Sequence, residues 1–306
     1  MKKLFFLLSA LSLTLSAVDL KITPRSPWKA SGEKEYSIDF DGGKSWPTLL
    51  IKPGALRPNT YYKLTFEAKD SSDGLVNTQI GFKTSRDGKN TTRYFIWKGK
   101  TQYTPLTLYF KTPEKSADFE LFSNINPGPA GKISVRNFAL NELSAEDLKT
   151  NLLSAGDFED GCNFNGFSSA YAKDLSIAPS PSFFCGEKSL KLTKKPNDIT
   201  DITSTDLPAI PGKTIEVKFW AKSAKNDVPA RMILDFGFPG YKPHLYRQFL
   251  FKIEPEWKEF SFSCTVPADL KAYPALIEGM TKLRFGLLQS ANAAEVYFDN
   301  IEYTLR

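Results

Sequence analysis

Alternation of apolar and polar residues runs through most of this chain, and helical periodicity is nearly absent. Residues 61–68, 214–221 and 295–303 are clear examples, because nearly every second side chain in each is apolar. A period of two places one row of side chains on each face of a β-strand. Clusters of Pro, Gly, Asn and Asp separate these segments, as they do between the short strands of a sandwich or jelly roll. The pattern predicts an all-β fold.

The two halves of the chain resemble each other. Three pairs of segments match in the same order and at similar separations: 56–69 with 210–222, 105–113 with 256–267, and 133–140 with 296–303. A chain of 306 residues also suits two domains, since about 100–200 residues per domain is usual. We therefore predict two tandem jelly-roll β-sandwich domains, at 18–143 and 151–306. The linker at 144–150 is expected to contain one short helical turn capped by Ser144.

The first 17 residues have the pattern of a secretory signal peptide. Lys2 and Lys3 precede an apolar run over residues 4–15, which ends at Ser16 and Ala17. This run is too short to span a bilayer, for which about 20 apolar residues are needed. The alternative is a buried N-terminal helix. Because no cysteine follows the exit, the signal predicts a secreted, periplasmic or cell-surface protein without a lipid anchor.

Charge and hydropathy argue against two classes of partner. The formal net charge of +6 is spread along the chain without a basic cluster, whereas phosphate neutralisation needs a concentrated basic stripe. After the first 17 residues, no segment is long and apolar enough to cross a membrane. We therefore expect neither a nucleic-acid partner nor membrane insertion.

The cysteines and the single histidine limit the chemistry of the chain. Three cysteines allow three disulfide pairings in an exported protein. Cys264 shares one face of a predicted strand with two phenylalanines, which indicates a place in the core. Cys162 and Cys185 lie in loop-like sequence, and we predict that these two pair. His244 is the only histidine, which excludes most zinc sites and most histidine-activated nucleophiles.

The second half carries a series of short motifs that occur together in one family. They are Asn-Leu-Leu-Ser-Ala-Gly-Asp-Phe-Glu-Asp-Gly at 151–161, Gly-Glu-Lys-Ser-Leu at 186–190, Pro-Gly-Lys at 211–213, Glu-Trp-Lys at 256–258 and Tyr-Phe-Asp-Asn-Ile at 297–301. With this combination the second half resembles carbohydrate-binding modules of families four and nine, which have a galactose-binding-domain-like jelly roll. The first half is similar in a divergent form, since it lacks the opening motif and has Arg136 where the second half has Asp299.

The resemblance implies a structural calcium ion in the second domain. Glu159 and Asp299 fall at the family's acidic positions, and backbone carbonyls around Gly156 and Lys188 would complete the oxygen ligands that calcium prefers. The alternative is an acidic surface pair without an ion. In the first half Arg136 would repel a cation, and no equivalent site is expected there.

Sugar recognition combines aromatic rings, which meet the C–H face of a pyranose, with directed hydrogen-bonding groups. The turn-rich segment 238–247 concentrates both, and alternation directs Asp235 away from the core face of its strand. The predicted ligand-binding residues are Tyr241, His244, Tyr246, Arg247, Asp235 and Gln289 in the second half, with Trp97 in the first. The alternative for each ring is a place in the core.

Signatures of catalysis are missing from the sequence. No two acids are spaced for glycoside hydrolysis, and no Gly-x-Ser-x-Gly turn accompanies the histidine. The modules that the chain resembles are non-catalytic and accompany glycoside hydrolases, so a separate hydrolase is an expected partner. We predict a non-catalytic exported protein that binds polysaccharide or cell-wall glycan. The alternative is a structural or adhesive envelope protein that has the same fold and binds no sugar.

Overall fold

The structure is a computed structural model of the chain. It describes residues 18–40, 48–71, 77–86, 89–98, 101–112, 120–125, 130–153, 156–159, 165–166, 178–180, 182–236, 245–268 and 279–306. The predicted signal peptide lies outside these residues, and its assignment stays a prediction.

The described residues of the first half form ten strands. They are β1 (Leu20–Pro24), β2 (Lys29–Gly32), β3 (Glu35–Phe40), β4 (Thr48–Pro53), β5 (Tyr61–Asp70), β6 (Asn77–Arg86), β7 (Lys89–Lys98), β8 (Thr104–Lys111), β9 (Glu120–Ile125) and β10 (Gly131–Glu142). Two five-stranded sheets result, in the orders β1-β4-β9-β6-β7 and β2-β3-β10-β5-β8. All pairings between these strands are antiparallel.

The second half repeats this arrangement. Its strands are β11 (Asn165–Gly166), β12 (Ala178–Ser180), β13 (Ser189–Lys194), β14 (Thr200–Pro208), β15 (Thr214–Ser223), β16 (Val228–Asp235), β17 (Tyr246–Ile253), β18 (Lys258–Thr265), β19 (Met280–Leu287) and β20 (Ala294–Leu305). The sheet orders are β11-β14-β19-β16-β17 and β12-β13-β20-β15-β18, which are the orders of the first half with every strand number raised by ten. The all-β sandwich prediction is confirmed. The three segment pairs that match in sequence contain counterpart strands: β5 and β15, β8 and β18, β10 and β20.

Alternation along the strands builds one core between the sheets of each half. Phe219 of β15 is fully buried, and its ring centroid lies 5.4 Å from that of Phe260 on β18. The ring of Phe285, from the opposite sheet, lies 4.8 Å away in an edge-on orientation. Burying one such side chain contributes about 1.5–3 kcal/mol. Cys264 is half-buried and packs against this core cluster, as its strand pattern predicts.

A β-bulge occurs at the same place in both halves. Pairing of β10 with β5 shifts between Arg136 and Ala139, and pairing of β20 with β15 shifts at the corresponding position. Asn137 and Asn300 occupy the left-handed region there, with φ of 56° and 45°. Asparagine is among the residues that adopt this conformation most readily, which explains its presence at both bulges.

The two halves are in contact. A 3₁₀ helix at Asp147–Lys149 follows β10, so the short turn predicted here is present. Ser144 Oγ donates to Asp147 Oδ2 at 2.6 Å, and the Asp147 N–H donates back to Ser144 Oγ at 3.0 Å. Strand β8 packs against β14, and Tyr109 of β8 is buried within the core cluster of the second half.

Candidate functional site

The outer face of the sheet β11-β14-β19-β16-β17 carries an array of polar side chains. On β16, Met232 and Leu234 point into the core, so Arg231, Ile233 and Asp235 point outward. The register places further side chains beside these on β14, β19 and β17. We call this side of the sheet the polar face. Its polar residues are Asp201, Thr203, Asp206, Lys282, Arg284, Arg231, Asp235, Tyr246 and Gln248, and Gly286, Ile233 and Leu250 lie among them.

Four charged residues of the polar face form a continuous ion-pair network. Arg231 Nη2 lies 2.6 Å from Asp201 Oδ2, and Arg284 Nη2 lies 3.0 Å from the same oxygen. Arg284 also reaches Asp235, with its Nη1 3.2 Å from Oδ2. The side chains of Arg284 and Asp235 are only 8% and 2% exposed. Because buried charges are stable only when they are paired, each member of the network holds its neighbours in place.

A glycine makes room for this network. Gly286 lies between Asp201 and Arg231 in the register of the sheet. A Cβ atom at position 286 would stand far inside van der Waals contact with Asp201 Oδ1 and only 3.0 Å from Arg231 Nε. The Asp201 carboxylate therefore occupies the space that a side chain on β19 would fill.

Strand β17 forms the exposed edge of the polar face. Tyr246 is 46% exposed and Leu250 is 63% exposed, and Gln248 lies between them on the same side of the strand. Tyr246 is the direct cross-strand neighbour of Asp235. The edge thus offers a ring, an amide and an apolar side chain next to the paired charges.

The predicted ligand-binding residues have different places in the structure. Asp235 and Tyr246 come together on the polar face. Arg247 does not join them, because neighbouring residues of a strand point to opposite faces. Its side chain lies beside Cys264, where burial raises the pKa of the thiol and the Arg247 charge opposes that rise. Gln289 lies beyond the end of β19, and its amide donates to the Asn197 carbonyl at 3.1 Å.

The remaining predicted residues cannot be placed. Tyr241 and His244 lie outside the described residues, and so does the side chain of Trp97 on β7. Asp201, Arg231 and Arg284 are members of the network that our sequence analysis misses. Each follows the alternation of its strand, as in Arg284 between the buried Leu283 and Phe285. The alternation predicts that a charged side chain lies on the outer face, but it does not predict which residue that side chain pairs with.

The two acidic residues predicted to bind calcium, Glu159 and Asp299, hold one turn by hydrogen bonds. Glu159 Oε1 accepts the backbone N–H groups of residues 187–188, each at 2.8 Å. Asp299 Oδ2 accepts those of residues 184–185, at 2.6 and 3.0 Å. Burial raises the pKa of the Asp299 carboxyl, although these backbone N–H groups favour its charged form.

The Gly156 carbonyl, a further predicted ligand, accepts the Ile301 N–H at 2.9 Å. At Lys188, whose backbone carbonyl is the other predicted ligand, the side-chain Nζ donates to the Glu159 carbonyl at 3.2 Å. Within the described part of the chain, no group of three or more His, Cys, Asp and Glu side chains is arranged to hold a metal ion. Calcium binding stays a prediction from the family resemblance.

Two cysteines are described. Cys185 and Cys264 are half-buried, and within the described residues these two do not form a disulfide with each other. Cys162 lies outside the described residues, so its pairing with Cys185 stays a prediction. Among the helices of the described residues, none is long and apolar enough to cross a membrane.

No protein-family model matches this chain, and no curated protein matches it. Among solved structures, the chain is similar to the N-terminal CBM22-1–CBM22-2 tandem domain of Xyn10C from Paenibacillus barcinonensis, with 14% identity and a TM-score of 0.39 over 95% of this chain and 92% of that one. A CBM4 structure is 16% identical, with a TM-score of 0.37 over 49% of this chain and 99% of that one. The family 11 carbohydrate-binding module from Clostridium thermocellum, solved with a β-1,3-1,4-mixed-linked tetrasaccharide, is 12% identical, with a TM-score of 0.36 over 51% and 96%. At these values the likeness assigns no ligand to this chain.

Proposed function

We propose that the polar face binds a neutral polysaccharide and that the chain is a non-catalytic, exported carbohydrate-binding protein. The observation that carries the proposal is a charge-balanced network of two arginines and two aspartates next to an exposed ring and amide. The family resemblance of residues 151–306 agrees with this class of ligand.

The balance of charges suits a ligand without charge. Sugar hydroxyls both donate and accept hydrogen bonds, and a guanidinium beside a carboxylate offers both types of partner. Because Asp201 and Arg231 are already fixed by their ion pair, little side-chain entropy would be lost when a ligand binds. Tyr246 at the edge supplies an aromatic face for a pyranose ring.

The expected cellular role follows from the sequence. A signal peptide would deliver the protein to the periplasm, the cell surface or the medium, where polysaccharides are found. A separate glycoside hydrolase is the proposed partner, because the modules that this chain resembles accompany such enzymes.

Affinity electrophoresis with a panel of neutral soluble polysaccharides tests the proposal. Tyr246→Ala should weaken binding about tenfold or more, because a stacked ring contributes about 1–3 kcal/mol. Tyr246→Phe keeps the ring and should retain most of the affinity. Gln248→Ala removes one hydrogen-bonding partner and is expected to have a smaller effect.

Salt and a distant variant serve as controls. Binding of a neutral polymer should change little between low and high salt, whereas charge-driven adhesion would weaken as salt screens it. Ser263→Ala alters an exposed residue on the opposite sheet and should bind like the parent. If the parent retains none of the polymers, the alternative of an envelope protein without sugar binding is favoured. If Tyr246→Ala and Gln248→Ala bind like the parent, the site lies elsewhere.

A further inference from the structure

The opposite sheet of the second half carries a cluster of aromatic rings on its outer face. Phe184 stacks on Trp220 of β15, with ring centroids 3.7 Å apart and planes 9° apart. Trp257, just before β18, meets Phe184 edge-on with the centroids 6.1 Å apart. Phe184 is nevertheless 39% exposed. We call these three residues the aromatic platform.

The backbone beneath Phe184 is held in one conformation. Asp299, which is fully buried, accepts the N–H of Phe184 at 2.6 Å and that of Cys185 at 3.0 Å. Glu159 fixes the other end of the same turn by accepting the N–H groups of residues 187–188. The ring is therefore positioned before any ligand arrives, which lowers the entropy lost on binding.

The first half shows that this fold does not require an exposed stack of rings at these positions. Where β15 has Trp220, β5 has Glu67, and it pairs with Arg136, the counterpart of Asp299, at 2.6 Å. Tyr103 takes the place of Trp257, and the Arg136 guanidinium covers its ring at 3.7 Å from the centroid. The same sheet is thus built with an ion pair and a covered ring. The exposed Phe184 ring stacked on Trp220 in the second half is therefore not needed to build the sheet.

The size and surroundings of the platform suit a sugar better than a protein. Charged residues border the rings: the exposed Glu259 is the cross-strand neighbour of Trp220, and the Lys222 ammonium lies near the Trp257 ring. A stable protein interface buries about 1,200–2,000 Å² in total. A whole aromatic side chain buries only about 150–250 Å², and Phe184 is 39% exposed. The area is of the order of one or two pyranose rings.

We infer that the aromatic platform is a second binding surface for a pyranose ring of a glycan, independent of the polar face. The apolar C–H face of the sugar lies against the exposed ring of Phe184. Its hydroxyls reach the exposed Glu259 and the Lys222 ammonium, which lies 5.7 Å from the Trp257 ring centroid. The inference rests on the proposed function in that the ligand is a glycan, but it names a different surface.

Five full-length proteins test the platform on the polymer that the parent binds best. They are the parent, Phe184→Leu, Phe184→Tyr, the double variant Tyr246→Ala with Gln248→Ala, and the combination of this double variant with Phe184→Leu. Phe184→Leu keeps an apolar side chain but loses the flat ring, so binding should weaken about tenfold. Phe184→Tyr restores a ring and should restore binding. The combined variant should bind more weakly than either partial one, and thermal melts should show that all of them fold.

The outcomes separate the two proposals. If Phe184→Leu binds like the parent while the polar-face variant loses affinity, the platform is overturned and the proposed function stands. If only Phe184→Leu loses affinity, the platform stands and the polar face is not the site. A parent that retains no neutral polymer of the panel overturns both. Sedimentation adds a further check, because a parent dimer that becomes monomeric in Phe184→Leu would show that the rings contact a second copy of the chain instead.

Discussion

Replacing Gly286 with alanine tests whether the ion-pair network of the polar face depends on the space above this residue. A methyl group here would displace the Asp201 carboxylate, which lies over the glycine. Asp201 would then lose its contacts with Arg231 at 2.6 Å and with Arg284 at 3.0 Å. Arg284, with 8% of its side chain exposed, would keep its pair with Asp235.

The expected cost lies between two limits. Exposed ion pairs contribute about 0–1 kcal/mol, whereas breaking a fully buried pair costs about 3–5 kcal/mol. The side chains of Asp201 and Arg231 are 11% and 20% exposed, so we expect a loss of pairing near the middle of that range. The substitution also removes a glycine, which weakens a strand, and this regains about 0.5–1 kcal/mol of the free energy of unfolding. The net destabilisation should be about 2 kcal/mol, and the midpoint of thermal unfolding should fall by about 4–8 °C for a domain of this size.

Thermal unfolding of the parent and the variant by calorimetry measures this effect. Gly32→Ala is the matched control, because Gly32 also lies in a strand and its added Cβ would meet only the Glu35 Cβ at an ordinary 3.6 Å. That control should leave the midpoint unchanged or raise it slightly. In an Asp201→Ala background, Gly286→Ala should cost little, since the displaced carboxylate is already gone. If Gly286→Ala is as well tolerated as Gly32→Ala, or costs the same in both backgrounds, the reasoning is refuted.

Three further predictions concern other parts of the molecule. Peptide mapping without reduction should show Cys162 linked to Cys185 and Cys264 free. The bridge would stabilise the fold by about 3 kcal/mol for a loop of roughly 23 residues. A bridge to Cys264 would contradict both the pairing and the core position of its strand. A calcium ion at Glu159 and Asp299 that binds only the native state would stabilise it, so excess chelator should lower the melting temperature, and an identical melt with and without chelator would contradict the predicted site. The hydrogen bond from Lys191 lowers the pKa of Glu295 below its ordinary 4.5, so this pair should stabilise the fold at neutral pH and lose its effect as the pH falls through the lowered pKa. Glu295→Gln should therefore reduce the melting temperature at pH 7 and have no effect near pH 2. An equal reduction at both pH values would contradict this reasoning.

Alternation alone made much of the fold predictable. It marks the strands, and it places Cys264 on the core side of β18 and Asp235 on the outer side of β16. The duplication is equally visible in sequence, because counterpart strands such as β5 and β15 need the same buried row of side chains. Both are local properties, since the faces of a strand are set by its own backbone.

The misplaced site residues show the limit of proximity in sequence. Arg247 follows Tyr246 directly, yet the two side chains leave β17 on opposite faces, because the strand continues through both. The turn-rich appearance of segment 238–247 suggested one loop carrying all its polar groups. Where a strand begins depends on its partner, and here the pairing of Tyr246 with Asp235 extends β17 to that residue.

The sequence by itself determined which residues can face outward, and only the tertiary structure decided which of them meet. Asp201 and Arg284 are 83 residues apart and touch because β14 pairs with β19 in one register. Phe184 stacks on Trp220 from a turn whose backbone is held by Asp299 of the last strand. The register between distant strands is fixed by the fit of the whole core. A shift of one strand by one residue would turn its side chains to the other face of the sheet.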